Sequence, residues 1–300
     1  MMRMNSFTPN ILTENGWDDY ALLDSGLGRK LERFGRVVVS RPEPQALWQK
    51  SLPESEWAKA DAIFTNASEK EDEDKGSWVN AKKLPETWPV KVEGATMLCR
   101  LMTYRHMGLF PEQRPHWQWI SSLTKNSTKP LNILNLFAYT GAASLIVSKH
   151  GAEVTHVDAS KKAIQWAKEN QAASNLNESK IRWICDDAVK FVAREIRRGN
   201  KYDGILLDPP RYGRGPDGEV WKFEQDVGPL LRACTELLAP DAKFMILTTY
   251  AMRLSSLTLY HMMQDALMNR IGTVDHGELL LADKSGKRPL PTSLFCRWSA

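Results

Sequence analysis

The sequence is short of everything that would tie it to a membrane, an oxidising compartment or a metal. It has only four cysteines in 300 residues. Cys99, Cys185, Cys234 and Cys296 form no C-x-x-C pair and no zinc spacing, so reduced, buried thiols are expected. Six histidines (His106, His116, His150, His156, His261 and His276) are scattered without ligand spacing, and no metal is expected. No apolar run approaches the roughly 20 residues that cross a bilayer. The N-terminal stretch holds no apolar core of a secretion signal. The expectation is a soluble cytoplasmic protein with no membrane partner. A net charge of +4 is too small to demand a polyanion by itself. Cations do concentrate in REIRRGNK (194–201) and RYGRG (211–215), although the first also fits a solvated helix end, where cations meet the helix dipole. The loop after the apolar run LNILNLF (131–137) holds a single glycine, Gly141, and so lacks there the G-x-G-x-x-G cradle that a dinucleotide pyrophosphate needs.

What is present divides near residue 110. Upstream, Gly26, Gly28 and Gly35 punctuate short β-rich runs. Strands are predicted at 37–39 (stopped by Pro42), 62–64, 89–92 and 96–104. The charge run EKEDEDKGS (69–77) reads as a solvated loop. Trp17, Trp48, Trp57, Trp78 and Trp88 read as packing residues. Residues 1–110 are therefore expected to form a small β-rich accessory domain, and 111–300 the main one. There LNILNLF (131–137), AEVTHVD (152–158), KIRWICD (180–186), YDGILLD (202–208) and KFMILTTY (243–250) read as strands. Helical patterns separate them and another follows the last, at 256–268. That alternation means right-handed crossovers and a parallel sheet covered on both faces. GELLLAD and TSLFCRWS, with no helix between them, read as an antiparallel pair at the sheet edge. The expected class is α/β: a Rossmann-like, seven-stranded sheet of the class I methyltransferase kind.

In open α/β sheets the ligand lies at the carboxyl ends of the strands, so the residues that follow each strand carry the chemistry. The first strand leads into Asn135-Leu-Phe-Ala-Tyr-Thr-Gly141, with one glycine. S-adenosylmethionine has no phosphate and needs only one close backbone approach. After the second strand, Asp158 lies 17 residues beyond Gly141, at the interval of a carboxylate that accepts from ribose hydroxyls. Ser160 fits the cap of the next helix. After the third come Asp186, Asp187 and Ala188, where a carboxylate can accept from an adenine amine and backbone N–H groups can read the ring. Helix capping is the alternative use of either aspartate. After the fourth comes Asp208-Pro209-Pro210-Arg211-Tyr212. The prolines remove two donors, leaving a rigid rim of acceptors suited to an amino or imino group that must shed positive charge. Tyr212 can stack on a planar base.

In combination, GLFPEQR (108–114), NLFAYTGAAS (135–144), VDASKKAIQWAKEN (157–170), CDDAVKFV (185–192) and LDPPRY (207–212) resemble the bacterial large-subunit ribosomal RNA cytosine-5 methyltransferase family and its shorter relatives. The likeness covers roughly residues 105–260. It implies a class I fold, S-adenosylmethionine as cofactor, and RNA as partner. It implies cofactor contact by Gln113, by Asn135, Phe137, Ala138, Tyr139 and Gly141, and by Asp158, Asp187 and Asp208; Ser160 and Ala188 join that set as neighbours. The catalytic candidates are Asp208, Pro209, Pro210 and Tyr212. The chain departs from the family in one respect. Ala251 stands where the cytosine-5 members carry a nucleophilic cysteine, without which carbon-5 of cytosine is a poor nucleophile. The family's N-terminal RNA-binding PUA module is not evident either. The leading reading is a methyltransferase acting on an RNA base without a covalent adduct. The alternatives are an enzyme for a small molecule or protein side chain, and an inactive cofactor-binding module.

Overall fold

The computed structural model describes residues 7–14, 16–66, 76–80, 83–250, 252–284 and 287–300. Most of the 69–77 charge run and Ala251 lie outside them. The chain falls into two compact units that interleave along the sequence, whereas a single cut near residue 110 was expected. One comprises Met1–Leu12, Pro115–Leu279 and Ser293–Ala300; the other Thr13–Arg114 and Leu280–Thr292. The interleaving follows from the chain's last two strands, which run from one unit into the other.

The chain opens with β1 (Asn10–Glu14), which spans the first boundary between the units. The β-rich unit continues with β2 (Tyr20–Gly26), β3 (Arg29–Phe34), β4 (Val37–Pro42), the short helix α1 (Glu54–Trp57), β5 (Ala62–Asn66), β6 (Gly76–Asn80), β7 (Trp88–Val92) and β8 (Ala95–Cys99). Strands β2 to β6 make one five-stranded sheet, and β7–β8 a separate ribbon. β8 stops at Cys99, short of the expected 104. Of the five tryptophans expected to pack, Trp17, Trp57 and Trp88 are buried, and Trp48 and Trp78 are half-buried. Charge is buried here too. Arg41 donates to both oxygens of Glu32 at 2.6 and 3.0 Å, and Tyr20 donates to Glu32 at 2.9 Å. These contacts hold the Glu32 carboxyl down to about 2 against the opposing effect of burial.

The larger unit takes in α2 (Arg114–Lys125). The alternation then runs β9 (Asn132–Leu136), α3 (Ala142–Ser148), β10 (Glu153–Asp158), α4 (Lys161–Ala173), β11 (Ile181–Cys185), α5 (Ala188–Arg198) and β12 (Gly204–Leu207). A hairpin, β13 (Tyr212–Arg214) and β14 (Val220–Lys222), precedes α6 (Phe223–Leu237). Then follow β15 (Phe244–Tyr250), α7 (Ser256–Ala266), β16 (Thr273–Leu281) and β17 (Leu290–Ser299). The sheet order is β1-β16-β17-β15-β12-β9-β10-β11. β9, β10, β11, β12 and β15 pair in parallel, and β17 runs antiparallel to β15. The expected seven strands are therefore joined by an eighth, β1, at the edge.

Strand alternation splits the core in two. Leu134, Leu136, Val157, Leu207 and Leu247 face one side, where α5, α6 and α7 pack through Phe191, Leu231 and Leu259. Ile133, Val154, Leu206 and Ile246 face the other, against Ile120 of α2 and Val147 of α3. Each such side chain contributes about 1.5–3 kcal/mol by leaving water. The 194–201 run takes the solvated-helix-end reading. Arg198 pairs with Glu195 at 2.8 Å, and Gly199 closes α5 in the left-handed region at φ 71. Three of the four cysteines are buried. Cys185 is exposed, contrary to expectation, because it ends the edge strand β11.

Candidate active site

Register aligns the strand ends. Leu136 lies opposite both Val157 and Leu207, and Leu207 opposite Leu247. Residues 137, 158 and 208 therefore stand in one row along the carboxyl edge, level with Thr248 of β15, which runs on to Tyr250. From β9 the chain first steps to β10 and β11 on one side, then to β12 and β15 on the other. This reversal is the switch point at which open α/β sheets form a crevice.

The loop leaving β9 is strained and supported from below. Phe137 (φ 56) and Tyr139 (φ 50) adopt a left-handed backbone, and Gly141 (φ 87) caps α3. For a side-chain-bearing residue this costs about 1–3 kcal/mol and persists only where the surroundings enforce it. The Ala138 N–H donates to the Val157 carbonyl at 3.1 Å, and Asn170 Nδ2 donates to the Thr140 carbonyl at 2.9 Å. A Cβ on Gly141 would meet Ala167 Cβ at 3.2 Å and His156 Cε1 at 3.5 Å. The left-handed backbone favours glycine here, and an added Cβ would also press on Ala167.

Beneath the loop, Asn135 Nδ2 donates to Ser144 Oγ at 3.0 Å, and Ser144 Oγ lies 3.0 Å from His156 Nδ1. His156 is fully buried, and that burial depresses it to about 3, so the ring is neutral. Ser144 Oγ thus bridges the Asn135 amide and the His156 ring beneath the loop. Asn135, expected to contact the cofactor, is 4% exposed with its side chain engaged in this chain. It supports the loop from below.

Asp158 closes the loop from the neighbouring strand. Its Oδ2 accepts from the Tyr139 N–H and its Oδ1 from the Ser160 N–H, both at 2.8 Å. Burial raises the carboxyl above its usual range, although both hydrogen bonds pull it down. Ser160 Oγ caps α4 by accepting from the Ala163 N–H at 3.2 Å. After β11, Asp187 caps α5, its Oδ1 accepting from the Lys190 N–H at 2.9 Å. Asp186 pairs with Arg194. The capping use of Asp187 is therefore present, through one oxygen of its carboxylate.

Beyond β12 come Asp208, Pro209 (buried) and Pro210 (exposed). The acceptor rim is narrower than the sequence suggested. Trp221 Nε1 donates to the Pro210 carbonyl at 2.6 Å, and the Phe223 N–H to that of Arg211 at 3.0 Å. Trp221 also packs on Phe137, ring centroids 5.0 Å apart, so the β13–β14 hairpin rests on the strained loop. Tyr212 begins β13 and is 54% exposed.

The structure thus gathers Phe137, Ala138, Tyr139, Gly141, Asp158, Ser160, Asp187, Ala188, Asp208, Pro209 and Pro210 along one edge. Gln113 belongs to the β-rich unit. It sits buried in a 3-10 turn over Pro111–Gln113, with its N–H donating to the Phe110 carbonyl at 3.1 Å. Sequence reasoning passed over Ser144, His156, Trp221 and the hairpin. A signal for the hairpin existed in Pro216-Asp217-Gly218, a turn signature between two short β-prone runs. Among the described residues, no group of histidine, cysteine or acidic side chains could hold a metal, and no helix is long and apolar enough to cross a membrane.

Comparison with known proteins adds the following. The family model described as S-adenosylmethionine-dependent methyltransferase matches residues 53–253. A crystal structure of the SAM-dependent methyltransferase from Agrobacterium tumefaciens is 47% identical, with TM-score 0.93, covering 97% of this chain and 94% of that one. The ribosomal RNA large subunit methyltransferase K/L of Shewanella frigidimarina is 34% identical over half of this chain and 20% of its own length. The ribosomal RNA large subunit methyltransferase I of Aeromonas salmonicida is 32% identical over 55% of this chain and 40% of its own. The chain thus spans between a fifth and two fifths of those two relatives.

Proposed function

This chain belongs to the S-adenosylmethionine-dependent methyltransferase family, and on that premise we propose that it methylates a base in RNA, ribosomal RNA foremost, at a position needing no covalent enzyme adduct. The residues at the crevice fit the cofactor. Each Asp158 oxygen is oriented by one backbone donor and keeps a lone pair for a ribose hydroxyl. The strained loop from Phe137 to Gly141 brings backbone to the crevice where a thioether and amino acid must pass. Asp187 has a second carboxylate oxygen beyond the one that caps α5, and it is assigned to the adenine amine with Ala188 behind it. When bound, S-adenosylmethionine supplies an activated methyl group, so the protein's task is alignment and exclusion of water.

The observation that carries the proposal is the Asp208-Pro209-Pro210 rim beside the strained loop, at the switch point. It holds a carboxylate that accepts from an amino or imino group and stabilises the positive charge that develops there. Tyr212 supplies a face for a base. Two relatives named as ribosomal RNA methyltransferases support RNA as the acceptor class. The thiols support the absence of an adduct. Cys99 is pushed up to about 12 by burial, and burial raises Cys234 and Cys296 further. Exposed Cys185 ends β11, three strand spacings from β12, or about 14 Å.

The test is transfer of labelled methyl from S-adenosylmethionine to RNA of a strain lacking the protein, followed by nucleoside mass spectrometry. One modified nucleoside, absent from the deletion strain, is expected. Label entering only small molecules or protein overturns the RNA reading. A trapped adduct with 5-fluorocytosine RNA overturns the adduct-free reading.

A further inference from the structure

The β13–β14 hairpin has two unlike faces. Its register opposes Tyr212 to Lys222, Gly213 to Trp221 and Arg214 to Val220. Side chains opposite each other share a face. Gly213 and Trp221 therefore point inward, where Trp221 is 5% exposed. Tyr212, Arg214, Val220 and Lys222 point outward and all are exposed. Tyr212 and Val220 retain 54% and 49% exposure, leaving about half of each side chain open to solvent.

Acids and bases are both present along this ribbon, but two of its outward cations have no acid partner. Of the neighbouring acids, Glu219 pairs with Lys190 and Glu224 with Arg211 at 3.5 Å, while Asp226 accepts from the Lys222 N–H at 2.7 Å and keeps its charge. Asp217 lies at the tip, 3.9 Å from Lys190. Among the described residues, the side chains of Arg214 and Lys222 pair with no acid. The outward face thus offers an aromatic ring, an aliphatic patch and two cations, with successive outward residues about 7 Å apart along each strand. It leads directly from the Asp208 rim.

We infer that this face is a docking platform for an unpaired stretch of RNA, with Tyr212 stacking a base and Arg214 and Lys222 taking phosphates on either side of the nucleotide being modified. The inference rests on the RNA reading above and specifies the state of the RNA. A stacked base must be unpaired. The deep, narrow major groove of an RNA duplex does not admit side chains, whereas aromatic rings with flanking cations suit single strands of any sequence. Because the inward face rests on Phe137 and on the Pro210 carbonyl, RNA held outside is registered against the crevice inside.

The test is fluorescence anisotropy of the full chain with S-adenosylhomocysteine, using a mixed-sequence single-stranded 20-mer RNA, its duplex, and a poly-glutamate peptide. The single strand should bind several-fold tighter than the duplex, and the peptide least. Arg214→Glu and Lys222→Glu should each weaken the single strand about tenfold or more. Each should also make the slope of log affinity against log salt shallower by about 0.7 for every phosphate no longer neutralised. Tyr212→Ala should weaken it by about 5- to 150-fold, the equivalent of one base–aromatic stack. Calorimetry with S-adenosylhomocysteine and a thermal melt verify each variant; one that fails to fold is replaced by Arg214→Ala or Lys222→Gln. Unchanged single-strand affinity in folded variants, preference for duplex, or tightest binding to the peptide overturns the platform. If the variants bind normally while wild type still methylates RNA, the platform falls alone. If no RNA is bound or methylated at all, the functional reading falls with it.

Discussion

Two loops leave neighbouring strands of the same sheet and are built in opposite ways. The loop after β9 is short, left-handed at two aromatic residues, and fixed by bonds from Asp158 and Asn170 above a buried histidine. The segment after β12 is longer and carries most of its side chains in solvent. The first is over-determined and the second exposed and adaptable. The cofactor is the same molecule in every turnover, and a site for it gains from strain held by the scaffold. The RNA acceptor proposed above would arrive with its own conformations, and a surface for it gains from exposed, sequence-tolerant contacts.

Breaking that contrast should cost most at the carboxylate where the two loops meet. Asp208→Asn barely changes volume but exchanges an acceptor-only carboxylate for an amide that also donates. Turnover should fall about 100-fold or more, in the range of a lost acid–base group, with the melting temperature unmoved. Equal losses of fold and turnover in single-turnover and melting experiments would contradict the assignment. Next in size is the rigid loop's own anchor. Asp158→Ala should weaken S-adenosylhomocysteine by about 1.5–3 kcal/mol in calorimetry. In wild type the affinity should decline as pH falls through a midpoint above the usual carboxylate value, because burial raises this group. An affinity indifferent to both changes rules out the ribose role.

A smaller effect tests whether the support beneath the rigid loop is neutral. His116 and His156 are each buried and depressed to about 3. Between the unfolded value near 6.5 and that depressed value, the unfolded chain binds the extra proton. Stability therefore falls as pH falls through this window, by about 1.4 kcal/mol per pH unit for each histidine. Denaturant melts of His156→Asn should show one such contribution missing; an unaltered slope would mean that the ring is charged in the fold. The least effect is expected at the other loop's tip. Lys190 and Glu219 pair at the surface, where ion pairs contribute little. Lys190→Ala should leave the melting temperature unchanged within error. A clear drop would show that the hairpin is as rigidly held as the loop beside it.

Much of this architecture is legible without coordinates. Four buried parallel strands and the edge strand β11 announce themselves as apolar runs, and position after a strand is enough to single out Asp158 and Asp208. What stays hidden depends on neighbours remote in sequence. β1 is NILTE, largely exposed, with no apolar alternation to mark it; only pairing with β16 makes it a strand. Phe137 and Tyr139 are aromatic, the last residues that composition would place in a left-handed backbone. Asn135 and Asp187 have the residue types expected of ligand contacts and also of structural hydrogen bonds. Sequence cannot separate those uses, because one carboxylate or amide can serve either. The exposure of Cys185 follows from β11 lying at the edge, a fact of sheet order rather than of its flanking residues.

β1 also bears on the order in which the molecule is made. Its partner in the sheet is β16, and Asn10 Nδ2 reaches Asp275 at 3.4 Å, across 265 positions of sequence. A ribosome adds about 5–20 residues per second. Residues 10–14 therefore emerge about 13–50 s before the strand that will receive them. Through that interval they have no place in the sheet, and a polar, largely exposed sequence lets them wait in water without presenting a sticky edge to other nascent chains.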